Sequence, residues 1–416
     1  MSEPDTIPKS LLVIGYTWPE PNATAAGQRI MWLLQGFLQK GYQITFASTA
    51  GPGAYEADLE SLGIEKVRIR LNDTSFDRFL SARRFSLILF DRFLTEEQFS
   101  WRIRDCLPNA RLLLDTEDLH SLRYSREEAV RKGRVWRPSD WVRDPRFYRE
   151  IASLFRADLN LIISKPEMEL LTGEVPLLRN KLVYVPFGSL IEEQGKVQSF
   201  DGRSDFVFIG NGKHRPNLDA ILQLKGEIWP RIRSLLPKGK LQIYGAYLPE
   251  HILQLHKPEE GFEVKGWAPD LKTVFGKARV QIAPLRFGAG VKGKVLEAAR
   301  HGLPTMGTSM AFEGILNTSG KVAFSADTAD DFARKAVHLY NHATVWERAL
   351  SIQKTEAAKH HMTTFSPLTK ALEMLEKPIE VVPEETRILE NMLRDEAFGR
   401  VRYLSKWIEA KEKGED

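Results

Sequence analysis

The sequence predicts an α/β protein with two doubly wound parallel sheets that face each other across a cleft, with additional helices at the C-terminal end. Short continuous apolar runs, typical of strands buried on both faces of a parallel sheet, alternate with helical patterns along most of the chain. A polar stretch near residue 195 interrupts this series, which then begins again. The length of 416 residues also exceeds what one ordinary hydrophobic core holds, so two domains are expected.

The first series of elements begins with the apolar run from Leu11 to Tyr16, which predicts a buried strand. Thr24 is a good N-cap for a helix from Ala25 to Lys40, because its side chain can accept a hydrogen bond from the first turn. Further strands of this series are predicted at Tyr42–Ala47, Lys66–Leu71, Ser86–Phe90, Ala110–Asp115, Ala157–Ser164 and Leu182–Gly188.

The second series begins with a strand at Asp205–Gly210 and a helix at Pro216–Leu236. Further strands are predicted at Leu241–Tyr244, Phe262–Gly266, Val280–Leu285 and Thr305–Gly307, and further helices from Leu271 (capped by Asp270), after Thr328, at Val345–His360 and at Glu385–Lys413. These elements predict a first domain over residues 1–190, a linker over 191–204, a second domain over 205–375 and a helical extension over 376–416.

The amino-acid composition is typical of a globular protein and gives little support for a nucleic-acid-binding protein or a membrane-spanning protein. Apolar residues make up 43% and charged residues 27% of the chain, as in globular domains, and the net charge of +4 is too small to argue for nucleic acid as a partner. Cys106 is the single cysteine, which excludes an internal disulfide and fits a reducing compartment. The N-terminal segment lacks the basic start of a signal peptide, and no apolar run reaches the roughly 20 residues that span a bilayer. We therefore expect a cytoplasmic protein, with peripheral contact to the inner face of a membrane as an open alternative.

The stretch from Gln281 to Ser309 carries the strongest sign of a binding site. A short strand passes into a glycine-rich loop at 286–293, and the helix that follows carries Lys294 and Glu297. Glycine lets a backbone approach a bulky anion, and the free N–H groups at a helix N-terminus favour negative charge. Lys294 adds positive charge, while Glu297 can accept hydrogen bonds from hydroxyl groups. This pattern predicts a site for a phosphorylated sugar derivative; the alternative is a loop that only makes a tight bend.

The residues from Pro284 to Pro304 match the pattern P-L-x-x-G-x-G-x-K-x-K-x-x-E-A-x-x-x-G-x-P. This pattern resembles the donor-site signature of the family 4 retaining glycosyltransferases, which have the GT-B fold of two Rossmann-like domains. The resemblance implies transfer of a sugar, with retention of configuration, from a nucleotide-diphosphate donor bound to the second domain. The acceptor at the first domain would be a hydroxyl of a glycan, a lipid-linked glycan or a small molecule, as in polysaccharide biosynthesis. The resemblance implies neither a metal ion nor a cofactor.

The resemblance also assigns residues to the site. In many members a D-x-x-D-x-H stretch lies at the cleft, with the histidine close to the transferred sugar, and Asp118 and His120 end that stretch here. We therefore expect His120, Asp118 and Glu297 as the catalytic residues. Donor binding is expected from Gly27, Gly210, Lys213, Arg215, Gly266, Phe287, Gly288, Ala289, Gly290, Val291, Lys292, Lys294 and Glu297. The acids of the D-x-x-D-x-H stretch could also hold Mg²⁺, but their spacing is not diagnostic of a metal site.

The chain departs from the family pattern at one position. Many members carry two glutamates about two helical turns apart, and while Glu297 matches the second, the first falls on Ala289. The sugar hydroxyls are then expected to bind backbone N–H groups of Phe287 to Val291, which leaves the identity of the sugar open. Glu313 is interpreted either as a cleft residue or as the first acid of a short helix.

Two further questions stay open at the level of sequence. The segment from Arg123 to Arg149 is basic and aromatic; we interpret it as a solvated helical insertion, with a patch for the acceptor or a membrane surface as the alternative. Two other functions are compatible with the pattern: a nucleotide-sugar epimerase on the same fold, and a non-catalytic protein that binds sugar nucleotides. Analysis of products separates the first from a transferase, and measurement of both binding and turnover separates the second.

Overall fold

Two parallel sheets form the centre of the protein, whose structure is a computed structural model. It describes residues 9–188, 198–316, 323–360, 364–376 and 384–414. The first sheet contains β1 (Ser10–Gly15), β2 (Gln43–Ser48), β3 (Glu65–Arg68), β4 (Leu87–Asp91), β5 (Arg111–Asp115), β6 (Leu159–Ile162) and β7 (Leu182–Tyr184). The second contains β8 (Ser204–Ile209), β9 (Leu241–Tyr244), β10 (Phe262–Gly266), β11 (Ala278–Ala283) and β12 (Thr305–Gly307).

The strand orders place a crevice at one end of each sheet. The first sheet has the order β3-β2-β1-β4-β5-β6-β7, and the second has the order β10-β9-β8-β11-β12. In both sheets the direction of winding reverses beside the first strand, between β1 and β4 and between β8 and β11. Ligands of doubly wound sheets lie outside the carboxyl ends of the strands at such a reversal.

Helices cover the faces of the sheets. They are α1 (Ala25–Gln39), α2 (Ser75–Ser81), α3 (Phe93–Cys106), α4 (His120–Arg131), α5 (Pro138–Val142), α6 (Pro145–Arg156), α7 (Lys165–Glu174), α8 (Arg215–Gln223), α9 (Trp229–Leu235), α10 (Glu250–Leu253), α11 (Leu271–Lys277), α12 (Gly293–Arg300), α13 (Ala329–Asn341), α14 (Ala343–Ala358), α15 (Ser366–Glu376) and α16 (Glu384–Lys413). Within the described ranges, none of these helices is long and apolar enough to cross a membrane.

The apolar runs form the core, as the sequence predicts. Leu11 and Leu12 of β1 are both completely buried, and they belong to the cores on opposite faces of the first sheet. Burying a leucine side chain contributes about 1.5–3 kcal/mol, so strands that are buried on both faces read as continuous apolar runs. The predicted α/β class, with two doubly wound parallel sheets, is confirmed.

Several element boundaries differ from the prediction. β11 ends at Ala283 because Pro284 has no N–H for the next hydrogen bond of the ladder. A π-helical turn at Leu224–Ile228 interrupts the helix predicted at Pro216–Leu236, just before Pro230, which lacks the N–H that continues an α-helix. The strands predicted at Lys66–Leu71, Ala157–Ser164 and Leu182–Gly188 are shorter, because buried loop residues such as Ile163 extend the apolar run beyond the ladder.

The last helix, α16, packs against the first half of the molecule. Glu409 accepts a hydrogen bond from the Thr74 N–H at 2.9 Å, and Ser405 accepts one from Arg102 at 3.1 Å. The first half of the linker predicted at 191–204 lies outside the described residues, which exclude 189–197. The division into domains therefore stays a prediction.

Candidate active site

A cleft of about 730 Å³ lies between the carboxyl ends of the two sheets. Loops that follow β1, β4 and β5 line one wall, and loops that follow β8, β9 and β11 line the other. Hydrogen bonds join the walls: the Asn211 side chain donates to the Ala23 carbonyl, and the Trp267 ring N–H donates to the Asn22 carbonyl, both at 3.3 Å. The cleft therefore coincides with the crevice that the strand orders indicate.

Most of the residues that the sequence assigns to the site line this cleft. They are Asp118, His120, Gly210, Lys213, Phe287, Gly288, Ala289, Gly290, Val291, Lys292, Lys294 and Glu297. Gly27, Arg215 and Gly266 are not among the lining residues. Gly27 packs against the backbone of Glu20, where a Cβ would come within 2.4 Å, and Arg215 forms an ion pair with Glu127 at 2.6 Å. These three predicted residues therefore lie outside the lining of the cleft, whereas the other predicted residues line it.

Two helix N-termini and one lysine form a positive pole in the cleft. α8 and α12 both begin at the cleft wall, and no described side chain caps the first turn of either helix. The Nζ atom of Lys294, in the first turn of α12, lies 2.5 Å from Asn217 Oδ1 of α8. Burial lowers the pKa of Lys294 to about 7, because the ammonium is removed from water. Free N–H groups beside a desolvated lysine favour an anionic ligand.

Lys292, by contrast, contacts other groups of the protein. Its Nζ lies 3.3 Å from Glu313 Oε2 and 3.2 Å from the Gly290 carbonyl oxygen. Arg126 of α4 reaches the same carboxylate with two N–O distances of 2.7 Å, and it also donates to the Gly288 carbonyl at 2.8 Å. Although burial opposes ionisation, Lys292 and Arg126 lower the pKa of Glu313 to about 2. Glu313 is therefore a charged bridge between α4 and the glycine-rich loop, and it is not among the residues that line the cleft.

Glu297 connects the two walls. The Gln28 side chain of α1 donates a hydrogen bond to Glu297 Oε1 at 3.3 Å, and Arg300 lies 3.7 Å from the same oxygen. Burial raises the pKa of Glu297. One oxygen of Glu297 thus contacts the opposite wall, while the side chain still lines the cleft.

His120 is the first residue of α4 and lines the other wall. Its Nε2 lies 3.3 Å from Asp118 Oδ1, and its ring packs edge-on against Phe93 with centroids 5.6 Å apart. Burial lowers the pKa of His120 to about 3, so the imidazole is neutral at physiological pH. Although burial acts in the opposite direction, the charge of Arg123 lowers the pKa of Asp118. The wall therefore presents a neutral ring beside an ionised carboxylate.

Glu150 of α6 caps the N-terminus of α4 and so positions His120. Its carboxyl accepts the backbone N–H of His120 at 2.8 Å and that of Ser121 at 2.9 Å. Burial raises the pKa of Glu150 to about 7. The sequence does not reveal this role of Glu150, because the cap comes from 30 positions away and leaves no local pattern.

A buried ion pair supports the floor of the cleft. Arg29 binds both oxygens of Asp115, and its guanidinium also donates to the carbonyls of Val185 and Pro186 at 3.1 Å. Asp115, which opens the D-x-x-D-x-H stretch, is therefore bound within the wall. In the part of the chain that the structure describes, no group of three or more potential metal-ligating side chains occurs.

An aromatic cluster closes one end of the cleft. Trp267 follows β10 and packs against Tyr55 of the opposite wall, with ring centroids 4.5 Å apart. Tyr55 also contacts Tyr247 at 5.3 Å, and the Tyr247 hydroxyl donates to Glu20 at 2.5 Å. Of these rings, Trp267 lines the cleft and offers it a flat apolar surface.

The basic segment from Arg123 to Arg149 contains most of α4, all of α5, the start of α6 and the connections between them. Many of its arginines pair with acids, as Arg134 does with Asp140, and Trp141 is completely buried. These contacts favour the interpretation as a structural insertion. A second cavity, of about 250 Å³, adjoins the cleft at the start of this segment and is lined by Phe93, Leu94, His120, Ser121, Tyr124, Arg146 and Arg149.

The part of the chain that contains the glycine-rich loop matches a known family. Residues 203–342, which include this loop and α12, match the family model described as glycosyl transferases group 1. No curated protein matches the chain in sequence.

Solved glycosyltransferases share the arrangement of both halves. HepE from Anabaena, solved with UDP and glucose, has a TM-score of 0.65 at 9% identity, with 88% of this chain and 99% of that chain covered. Sucrose-phosphate synthase from Thermosynechococcus elongatus has a TM-score of 0.62 at 13% identity, with 88% and 98% covered. A glycosyltransferase from Rickettsia africae has a TM-score of 0.59 at 11% identity, with 89% and 100% covered. At these identities the likeness shows the fold. The family match assigns residues 203–342 to glycosyl transferases group 1, and together with the GT-B fold of both halves it indicates a nucleotide-sugar-dependent retaining glycosyltransferase.

Proposed function

We propose that this glycosyltransferase uses a UDP-sugar as donor and transfers the sugar to a hydroxyl of a carbohydrate acceptor. The observation that carries the proposal is the positive pole, in which the N-termini of α8 and α12 meet at Lys294, because such a pole favours a diphosphate. HepE was solved with UDP and glucose, and TarM from S. aureus was solved with UDP and α-GlcNAc-glycerol. The shared fold supports the same donor chemistry here.

The cleft offers a place for each part of such a donor. The base would stack on Trp267 at the aromatic end, and Glu297 would accept hydrogen bonds from the ribose. The diphosphate would lie at the N-terminus of α12 beside Lys294. The transferred sugar would then lie beside His120 and Asp118.

These groups also suit the departure of the diphosphate. Lys294 and the helix N-termini stabilise the negative charge that develops on the leaving group. His120, neutral because of its burial, can hydrogen-bond the sugar without adding charge. The contacts between the walls, including Arg126 with Glu313, hold the two halves together around the cleft, and exclusion of water by a bound donor would favour transfer over hydrolysis.

The acceptor is proposed to enter through the second cavity beside His120. This cavity shares His120 with the main cleft, so a hydroxyl bound there would reach the transferred sugar. Phe93 and Tyr124 supply ring faces, and Arg146 supplies hydrogen-bond donors, which are the groups that bind carbohydrates. This placement leaves the class of glycan acceptor open.

Binding and turnover, measured on one preparation, test the proposal. Thermal unfolding is recorded with UDP, GDP, ADP, CMP and their sugars for wild type, for Lys294→Met and for the exposed control Lys272→Met. UDP at 100 times its Kd for wild type should stabilise wild type and the control by about 2.7 kcal/mol, and the same concentration should stabilise Lys294→Met much less.

Turnover then separates the alternatives. Release of UDP from a UDP-sugar should depend on an added sugar acceptor. Stabilisation by UDP without turnover of any sugar would favour a non-catalytic binding protein. Conversion of the donor sugar itself without an acceptor would favour an epimerase.

A further inference from the structure

Glu117 lies in the loop after β5, on the wall of the cleft where His120 also lies. Its backbone has a φ of 60°, in the left-handed region that residues with a side chain rarely adopt. Arg92, which follows the neighbouring strand β4 and also lines the cleft, has a φ of 74°. Strained residues at two adjacent strand ends point to a local structure that is maintained for binding.

The carboxyl of Glu117 has no hydrogen-bond partner among the residues that the structure describes. Its Oε1 is buried and unpaired, and Arg29 Nε lies 4.0 Å away, beyond hydrogen-bond distance. Arg29 is already bound to Asp115. Burial, and then the charge of Asp115, raise the pKa of Glu117 to about 8, so near neutral pH the carboxyl is protonated and can both donate and accept. A desolvated carboxyl without partners favours a ligand that brings hydroxyl groups.

The other carboxylates of the cleft are already engaged. Glu20 accepts a hydrogen bond from a tyrosine hydroxyl, Asp118 is paired with a histidine and an arginine, and Glu297 accepts from a glutamine. Among the lining residues that the structure describes, Glu117 is therefore the carboxyl whose hydrogen-bonding capacity is unused.

The loop with Glu117 is held directly against the glycine-rich loop. A Cβ on Gly290 would lie 2.9 Å from Asp118 Cβ and 3.2 Å from the Glu117 carbonyl oxygen, so only glycine permits this approach. Glu167 Oε1 accepts the N–H of Leu119 at 3.1 Å and that of Gly290 at 2.7 Å, which joins the two loops.

The position of Glu117 determines which part of a donor it can reach. Ala289, next in the chain to Gly290, brings only a methyl group to this part of the cleft. The positive pole at Lys294 takes the diphosphate in the proposed function, and the sugar lies toward His120. We propose that Glu117 binds a hydroxyl of the transferred sugar and thereby selects the donor sugar, an inference that rests on the proposed donor site.

The test combines protein variants with donor analogues in steady-state assays on the full chain. The kcat/KM is measured for the preferred UDP-sugar and for its monodeoxy analogues, each of which lacks one sugar hydroxyl. The proteins are wild type, Glu117→Ala, Glu117→Gln and the control Glu169→Ala, which removes an exposed acid of α7. The Kd for UDP and the melting temperature are measured for each protein.

Wild type and the control should lose about 10- to 100-fold in kcat/KM when the hydroxyl that Glu117 binds is removed from the donor. Glu117→Ala should lose less than about threefold with the same analogue, because the partner of that hydroxyl is already gone. Glu117→Gln, which keeps an acceptor and a donor group, should retain part of the discrimination. The Kd for UDP should change by less than about threefold in every variant.

Discrimination that persists in Glu117→Ala at every hydroxyl, with normal UDP binding, overturns this inference and leaves the donor site standing. Loss of UDP binding together with a lower melting temperature in both Glu117 variants would give the residue a structural role and also overturn it. A wild-type protein that neither binds UDP nor uses any UDP-sugar overturns the proposed function, and this inference with it.

Discussion

Arg126 and Glu313 connect the two halves of the molecule through a bidentate ion pair, with two N–O distances of 2.7 Å. Arg126 belongs to α4, which begins at His120, and Glu313 follows β12 in the half that carries Lys294. The pair therefore links the helix that positions His120 to the half with the positive pole. We expect the relative placement of His120 and Lys294 to depend on it.

Replacing Arg126 with alanine should lower both stability and activity. Without Arg126, Lys292 is the cation that remains beside the Glu313 carboxylate, so the free energy of unfolding should fall by about 1–3 kcal/mol. Misplacement of the walls should lower kcat/KM by about 10- to 100-fold. Urea unfolding and steady-state kinetics measure the two effects, with Arg131→Ala, the loss of an exposed arginine on the same helix, as control. An Arg126→Ala protein with wild-type kinetics would contradict the linking role.

The same pair should make part of the stability depend on pH. Although burial opposes it, Lys292 and Arg126 lower the pKa of Glu313 in the folded protein to about 2, from its usual 4.5. A carboxyl with a depressed pKa stabilises the fold above its unfolded pKa, and this contribution is lost as the pH falls from about 4.5 toward 2. The difference in unfolding free energy between wild type and Arg126→Ala should therefore shrink over this range. A difference that stays constant as the pH is lowered would argue against the assignment.

Glu150→Ala should affect catalysis through His120 rather than through donor binding. Without the carboxyl, the first N–H groups of α4 lose their cap, which costs about 1–2 kcal/mol in unfolding free energy. We expect kcat to fall while the Kd for UDP changes by less than about threefold. Glu150→Gln should restore part of the activity, since its amide oxygen can accept one of these hydrogen bonds. Equal losses in kcat and in UDP affinity would contradict the prediction that Glu150 affects catalysis and not donor binding.

Diphosphate binding should take up a proton at Lys294. Burial lowers the pKa of Lys294 to about 7 in the free protein, so at pH 8 most of the lysine is neutral, and a bound diphosphate favours the ammonium form. Titration of UDP at pH 8 in two buffers of different ionisation enthalpy should reveal proton uptake, which should diminish as the pH is lowered toward 6. Lys294→Met should abolish the uptake and Lys272→Met should retain it. The same proton uptake in all three proteins would show that a group other than Lys294 takes up the proton and would contradict this prediction.

The fold class could be predicted because its causes lie in continuous stretches of sequence. Strands buried on both faces read as apolar runs, and the glycine-rich loop with its helix occupies the single stretch Pro284–Pro304. Two predicted caps, Thr24 and Asp270, each accept a backbone N–H from the first turn of their helix. Each of these features depends on residues that are close in the chain, which is why the sequence reveals them.

The contacts that assemble the site could not be predicted, because they join distant positions. Glu150 lies 30 positions from His120, and Arg126 lies 187 positions from Glu313. Each of these charged residues lies on a helix or turn whose local sequence does not reveal its partner. Glu167, which binds the glycine-rich loop from 123 positions away, was hidden for the same reason. The roles of the site residues and the domain limits stay predictions.

The most direct test of the donor site measures how much the diphosphate of UDP adds to its binding affinity. UDP and uridine are titrated into wild type, Lys294→Met and Lys272→Met, and their Kd values are compared within each protein. Wild type and Lys272→Met should bind UDP at least about 10-fold more tightly than uridine, and Lys294→Met should lose most of this advantage while binding uridine as before. Equal affinities for UDP and uridine in wild type, or an advantage that survives Lys294→Met, would contradict the assignment of the positive pole to the diphosphate.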